Sequence, residues 1–264
     1  MWSDLGIMKA LFHRFLLPGM FLAWLFSAAN AHAACATSAA SLHGWYAMQV
    51  SGTTLNVGAK FLVGAILFDG VSGLTGNNVY GSEIDSAVTG TYAVNTDCTL
   101  TISMTIGSSA PQVYTVAIEQ SNEAVGIEVD SSAVATIDLQ AQYATYTPGL
   151  NFTSSSANGE FTGACYGAAA AMSELHIATL SNGSVSGNGP INDSGSFVAA
   201  NNPYTGTYTV NSDGTFSGNV NINGLSYDFY GVIANGGAEL EYFYTSVASG
   251  SLPGAAFEVC VDKL

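Results

Sequence analysis

The chain has 264 residues, with four Lys+Arg against nineteen Asp+Glu and a formal net charge of −15. So few cations leave nothing to neutralise a phosphate backbone or an acidic headgroup layer, which excludes nucleic acid and anionic lipid as partners. Hydrophobic residues make up 48% of the chain, with 13 Tyr and 13 Phe, so it is not disordered and has the means to bury a core.

Residues 1–34 read as a secretory signal peptide. Lys9, His13 and Arg14 form a basic start, Leu16 to Phe26 an apolar core, and Ala31-His32-Ala33 a small-x-small cleavage site. The apolar run is shorter than the roughly 20 residues of a spanning helix. Export to the periplasm, cell surface or exterior is therefore expected, with a mature start near Ala34. Lipidation at Cys35 is the alternative, disfavoured because His32 stands where such signals carry Leu. Processing removes Lys9, Arg14 and Asp4, leaving two cations, Lys60 and Lys263, against eighteen acids, a net charge of −16.

The remainder reads as strands. Leu100, Ile102, Met104 and Ile106 alternate with polar residues, and so do Tyr114, Val116 and Ile118; Val125, Ile127 and Val129; and Ala135, Ile137, Leu139 and Ala141. A period of two places the apolar members on one face and the polar members on the other. Upstream, 44–52, 60–68, 74–83 and 88–95 complete eight short strands, with Asp69-Gly70 marking a tight turn. The text then recurs. Gly90-Thr91-Tyr92-Ala93-Val94-Asn95-Thr96-Asp97-Cys98-Thr99 returns as Gly206-Thr207-Tyr208-Thr209-Val210-Asn211-Ser212-Asp213-Gly214-Thr215, and Gly44-Trp45-Tyr46 as Gly159-Glu160-Phe161. The expected fold is all-β, with two tandem antiparallel meanders of about eight strands closed into small barrels, and β-sandwiches as the alternative. The first repeat spans 35–144 and the second 159–264, joined by a linker at 145–158.

The Gly-Trp-Tyr opening and the Gly-Thr-Tyr strand resemble those of avidin and lipocalin barrels over a few residues per repeat. More broadly, the chain resembles uncharacterised exported bacterial proteins with tandem Gly-Thr-Tyr-x-Val-Asn-x-Asp β-repeats. That resemblance implies export and a repeated β fold, and lends no catalytic residues.

Four cysteines in an exported chain point to two disulfides, and Cys35–Cys98 with Cys165–Cys260 gives one per repeat. Cys260 is expected to share its face with Glu258, opposite Phe257, Val259 and Val261. Cys165 shares a face with Phe161, so a bulge or an end-on approach is expected at that bond.

No pattern carries chemistry. His43 and His176 have no zinc-ligand spacing, and no Gly-x-Ser-x-Gly elbow or phosphate loop occurs, so no catalytic residue, cofactor or metal site is assigned. Asn95 with Asp97, Asn211 with Asp213, and Asn192-Asp193 offer oxygens to calcium, but Asn and Asp also shape turns, the favoured reading. Glu239 and Glu241 with Asp228 would suit glycosidic cleavage if paired, yet their strand face is expected to lie in solvent. Of the aromatic cluster, Tyr227, Phe229, Tyr242 and Tyr244 fit a core, while Tyr230 and Phe243 fall on the outward face as a candidate contact surface. Function is thus expected to be non-enzymatic: an exported structural or interaction module with a glycan or protein partner. The alternatives are a carrier holding a small apolar ligand in a lumen and a sixteen-stranded outer-membrane pore.

Overall fold

The computed structural model describes residues 38–55, 58–81, 86–95, 97–120, 123–143, 151–167, 172–193, 196–199, 202–222, 224–246 and 256–264. The expected signal peptide, Cys35 and most of the first half of the expected linker lie outside these residues.

The first repeat is a barrel of eight strands: β1 (His43–Thr54), β2 (Gly58–Asp69), β3 (Gly73–Gly81), β4 (Ser86–Val94), β5 (Thr99–Ile106), β6 (Gln112–Gln120), β7 (Glu123–Glu128) and β8 (Ala133–Ala141). Each pairs antiparallel with its successor, and β1 pairs with β8 to close the ring. The period-two pattern explains the interior. Leu100, Ile102, Met104 and Ile106 point inward with Tyr46, Met48, Val50, Phe68 and Tyr114, and the intervening Thr101 faces water.

The second repeat has β9 (Gly159–Gly167), β10 (Met172–Ser181), β11 (Ser184–Asn188), β12 (Ile191–Asp193), β13 (Ser196–Ala199), β14 (Tyr204–Val210), β15 (Thr215–Ile222), β16 (Leu225–Ala234), β17 (Glu239–Ser246) and β18 (Ala256–Lys263). It too closes at eight positions, because two positions are each filled by two short strands. β11 and β12 lie one after the other along β10, where the first barrel has β3 alone, and β14 and β13 pair with them in the place of β4. Pro190 and Pro203 stand at the two breaks. A proline has no N–H for the ladder, so a strand is interrupted there. Neither sandwiches nor a sixteen-stranded pore form: two separate rings each enclose an apolar core.

The second ring closes where β9 meets β18, and Cys165 and Cys260 are direct partners there, bonded with a Cα–Cα distance of 4.1 Å. No bulge interrupts that pairing. Cys260 does lie opposite Val261 as expected, but its face is the inward one: Cys260 and Asp262 are buried while Val261 is only half-buried. Cys98 is disulfide-bonded as well; Cys35, its expected partner, is not among the described residues.

Residues 36–264 form one compact unit. At the joint between barrels, Ala47, Val63, Ala65 and Tyr80 on the outside of β1–β3 pack against Val232, Ala234 and Phe243 on the outside of β16 and β17. The alanines let the two sheets approach closely. Residues 151–158 pack onto the second barrel, with Phe152 and Ala157 in its core.

Candidate functional site

The twin Asn-x-Asp motifs are turns. In each copy the Asn backbone N–H donates to the carbonyl of the Thr four residues on, and the Asn amide donates to that Thr hydroxyl. The hydroxyl donates in turn to the Asp carboxylate, Thr99 to Asp97 and Thr215 to Asp213. The residue before Thr has a left-handed backbone, φ 69° at Cys98 and 85° at Gly214. These oxygens are engaged in shaping the chain. Asp97 is held below the usual carboxylate range, first by the hydrogen bond from the Thr99 hydroxyl and then by that from the Thr99 N–H.

Inside the second barrel, β10 and β18 turn polar groups inward beside the disulfide. His176 Nε2 lies 2.8 Å from Asp262 Oδ2, and the Tyr242 hydroxyl lies 2.7 Å from the same nitrogen and donates to the same carboxylate oxygen at 3.1 Å. All three side chains are buried, as is Glu174. Burial pushes the Glu174 carboxyl up, with Asp262 adding to it and His176 opposing. Burial likewise pushes the Tyr204, Tyr242 and Tyr244 hydroxyls up, so they are protonated donors. A His–Asp pair of this kind can orient a base, but the adjacent sulfur, Cys165, is consumed in a disulfide, so it supplies neither nucleophile nor thiolate. For the same reason Cys165, Glu174 and His176, which cluster closely enough for a metal, lack a complete donor set. Next to them is a cavity of about 20 Å³, lined by Leu180, Tyr204, Phe216, Phe229, Tyr244 and Asp262 among others, room for one water.

The first barrel is plugged at one end by an ion pair. Lys60 Nζ lies 2.6 and 2.8 Å from the two oxygens of Glu128 and donates to Gln112 Oε1 at 3.1 Å, with the Tyr114 ring beneath it.

The joint holds the residues whose surroundings differ most from expectation. Tyr230 and Phe243 do lie on the outer face of their barrel, but they are covered by the other one: Tyr230 packs against Tyr80 at 5.0 Å and against Phe243 at 5.8 Å. Glu239 and Glu241, expected in solvent, are buried there too. Glu239 accepts from Gln140 at 3.4 Å and pairs with Lys263 at 3.2 Å, while Glu241 Oε2 has no hydrogen-bond partner among the described residues. Burial, and then Asp138 and Glu239, hold the Glu241 carboxyl well above the usual range. Asp228 pairs with Thr245, and Glu241 with Val232, four residues along the strand. That is roughly 13 Å of strand, so Asp228 does not pair with the two glutamates, which are themselves buried in the joint. Around the acids, Asn78 donates to Asp213 Oδ2 at 2.8 Å, Asn211 to the Tyr80 hydroxyl at 3.0 Å, and Gln142 to the Asp213 carbonyl at 2.9 Å. The second copy of the turn is thus pinned to the first barrel.

Known proteins add no assignment. No family model matches the chain, and no curated protein is similar enough to it to count as a relative.

His176, Asp262 and Glu174 carried no sequence signal as a group. The one legible trace is on β10, where Glu174 and His176 are in phase with Ala178 and Leu180, both core residues.

Proposed function

We propose that the chain is an exported, non-enzymatic module that acts through its outer surfaces, as a structural or interaction component of the cell envelope or extracellular space. One observation carries this reading: the barrel interiors are occupied by the chain's own side chains. Ligand pockets usually enclose about 300–1,000 Å³, whereas the cavity within the second barrel is about 20 Å³. A carrier would need Phe216 and Phe229 to leave the middle of that core. Among the described residues the polar groups of the second barrel are buried as well, and the sulfur beside His176 is held in its disulfide. The leader-like residues 1–34 and the two cysteine pairs support export.

Native mass spectrometry of protein recovered from the periplasm or medium tests the reading. The expected mass is that of a polypeptide starting near Ala34, less the hydrogens lost to its disulfides. A small molecule that survives desalting and is released on unfolding would establish a carrier instead.

A further inference from the structure

The joint between the barrels is built from two different faces. The receiving face is the outside of β1 and β2, and the inserting face is the outside of β16 and β17. Since the barrels are copies, each should own one of both kinds, and the strand registers locate the two that the joint leaves over. Gly44-Trp45-Tyr46 corresponds to Gly159-Glu160-Phe161, so Ala47 and its partner Ala65 correspond to Thr162 and its partner Ile177. In the same way Val63 corresponds to Leu175. Thr99 corresponds to Thr215, which carries Tyr230 onto Thr115, Val232 onto Ala117 and Phe243 onto Ile127.

These counterparts are uncovered, and Leu175, Ile177 and Ile127 among them are large and apolar. Val63 and Phe243 are 2% and 3% exposed in the joint, whereas Leu175 and Ile177 are 60% and 47% exposed and Ile127 is 57% exposed. Tyr166, beside Leu175 on the same sheet face, is 68% exposed. The distribution of bulk differs between the two settings. In the joint, Ala47, Val63 and Ala65 together with Tyr80 on the receiving face meet Tyr230 and Phe243. On the free faces the bulk sits on the receiving side, as Leu175, Ile177 and Tyr166, while the inserting side has Thr115, Ala117 and Val125. Beside Ile127 that side also has an open groove of about 530 Å³, lined by Gln49, Ser51, Val125, Thr136 and Asp138 among others, which offers the extra room.

We infer that the outside of β9–β10 on one copy of the chain docks on the outside of β6–β7 of a second copy, repeating between molecules the joint found within one. The partner is the same chain, and the contact is head-to-tail. Such an interface uses different surfaces on its two sides, so it builds a ring or an open row of more than two copies instead of a two-fold dimer. A net charge of −16 per mature chain opposes the association at long range, so it strengthens with added salt. This inference rests on the interaction-module reading and names its partner; a carrier activity found by native mass spectrometry would overturn that reading without touching the association measured here.

The test is sedimentation velocity of the purified chain over a concentration series at low and high salt, for wild type, Ile127→Asp and Leu175→Asp. Wild type is expected to grow beyond a dimer as concentration and salt rise. Each variant alone is expected to remain monomeric, since each has lost one of the two faces. An equimolar mixture of the two variants is expected to give a discrete heterodimer, because the receiving face of Ile127→Asp and the inserting face of Leu175→Asp are both intact. Ile127→Thr and Leu175→Thr, with thermal melts matched to wild type, separate loss of association from loss of folding. A wild type that stays monomeric at millimolar concentration, association untouched by the substitutions, or variants that do not complement each other would each overturn the inference.

Discussion

Removing the charge of Lys60 while keeping its stem, as in Lys60→Met, probes the plug of the first barrel. The Glu128 side chain is fully buried and that of Lys60 is 10% exposed, so neither ion is well hydrated. After the substitution Glu128 retains the Ser132 hydroxyl at 3.2 Å but loses both ammonium contacts. Stranding one member of a buried pair costs about 3–5 kcal/mol, a large share of the roughly 5–15 kcal/mol by which domains are stable. Urea titrations at neutral pH should show that gap between variant and wild type. Lys60→Met with Glu128→Met together should lie within about 1 kcal/mol of wild type or above it. A single-variant cost below about 1 kcal/mol, as for a surface pair, or a double variant no more stable than Lys60→Met alone, would refute the reasoning.

Phe243→Ala should cost about 3–5 kcal/mol and loosen the joint; Trp45, which packs there, should then report its own transition at lower denaturant than circular dichroism, and a single coincident transition with an unchanged midpoint would count against the joint. Glu241→Gln should stabilise the chain at neutral pH. Its carboxyl is raised in the fold, so its contribution is complete below the unfolded pKa and is lost as pH rises through the folded one; the advantage of Gln should vanish in acid, and a variant less stable than wild type at pH 7 would contradict this. Cys165→Ser with Cys260→Ser opens a loop of 95 residues, which by chain entropy removes about 4–5 kcal/mol, and calorimetry should show the second barrel alone melting earlier.

Strand content, the duplication and the two cores were legible because period-two alternation is a local property and the repeat is long. Tyr92 and Tyr208 face inward as the alternation requires, and the Asn-x-Asp motifs turn the chain. Alternation says which side of a sheet a residue takes, but not what lies over that side. Glu239, Glu241, Tyr230 and Phe243 were therefore placed on the correct face with the wrong surroundings, since the covering surface comes from the first barrel, with Gln140 for Glu239 and Tyr80 for Tyr230. Alternation also misleads where the pattern is inverted. On β10 the aliphatic Leu175 and Ile177 face out while Glu174 and His176 face in, and on β18 Cys260 and Asp262 face in. The two inverted stretches meet around the disulfide, where His176 bonds Asp262, which no window on a single strand reveals.

In the first barrel every pairing but the seam of β1 with β8 joins neighbours along the chain; in the second, β10–β12 and β11–β14 also skip strands, and the seam of β9 with β18 joins the ends. Hairpins form fast because their loops are short, and a pairing of distant ends comes late. In the second barrel that late seam is also the place of Cys165–Cys260, so the two sulfurs become neighbours only when the ring shuts. The oxidation state of Cys165 is therefore a clock: alkylating free thiols at intervals after refolding begins would time the moment of closure, strand by strand assembly having already finished.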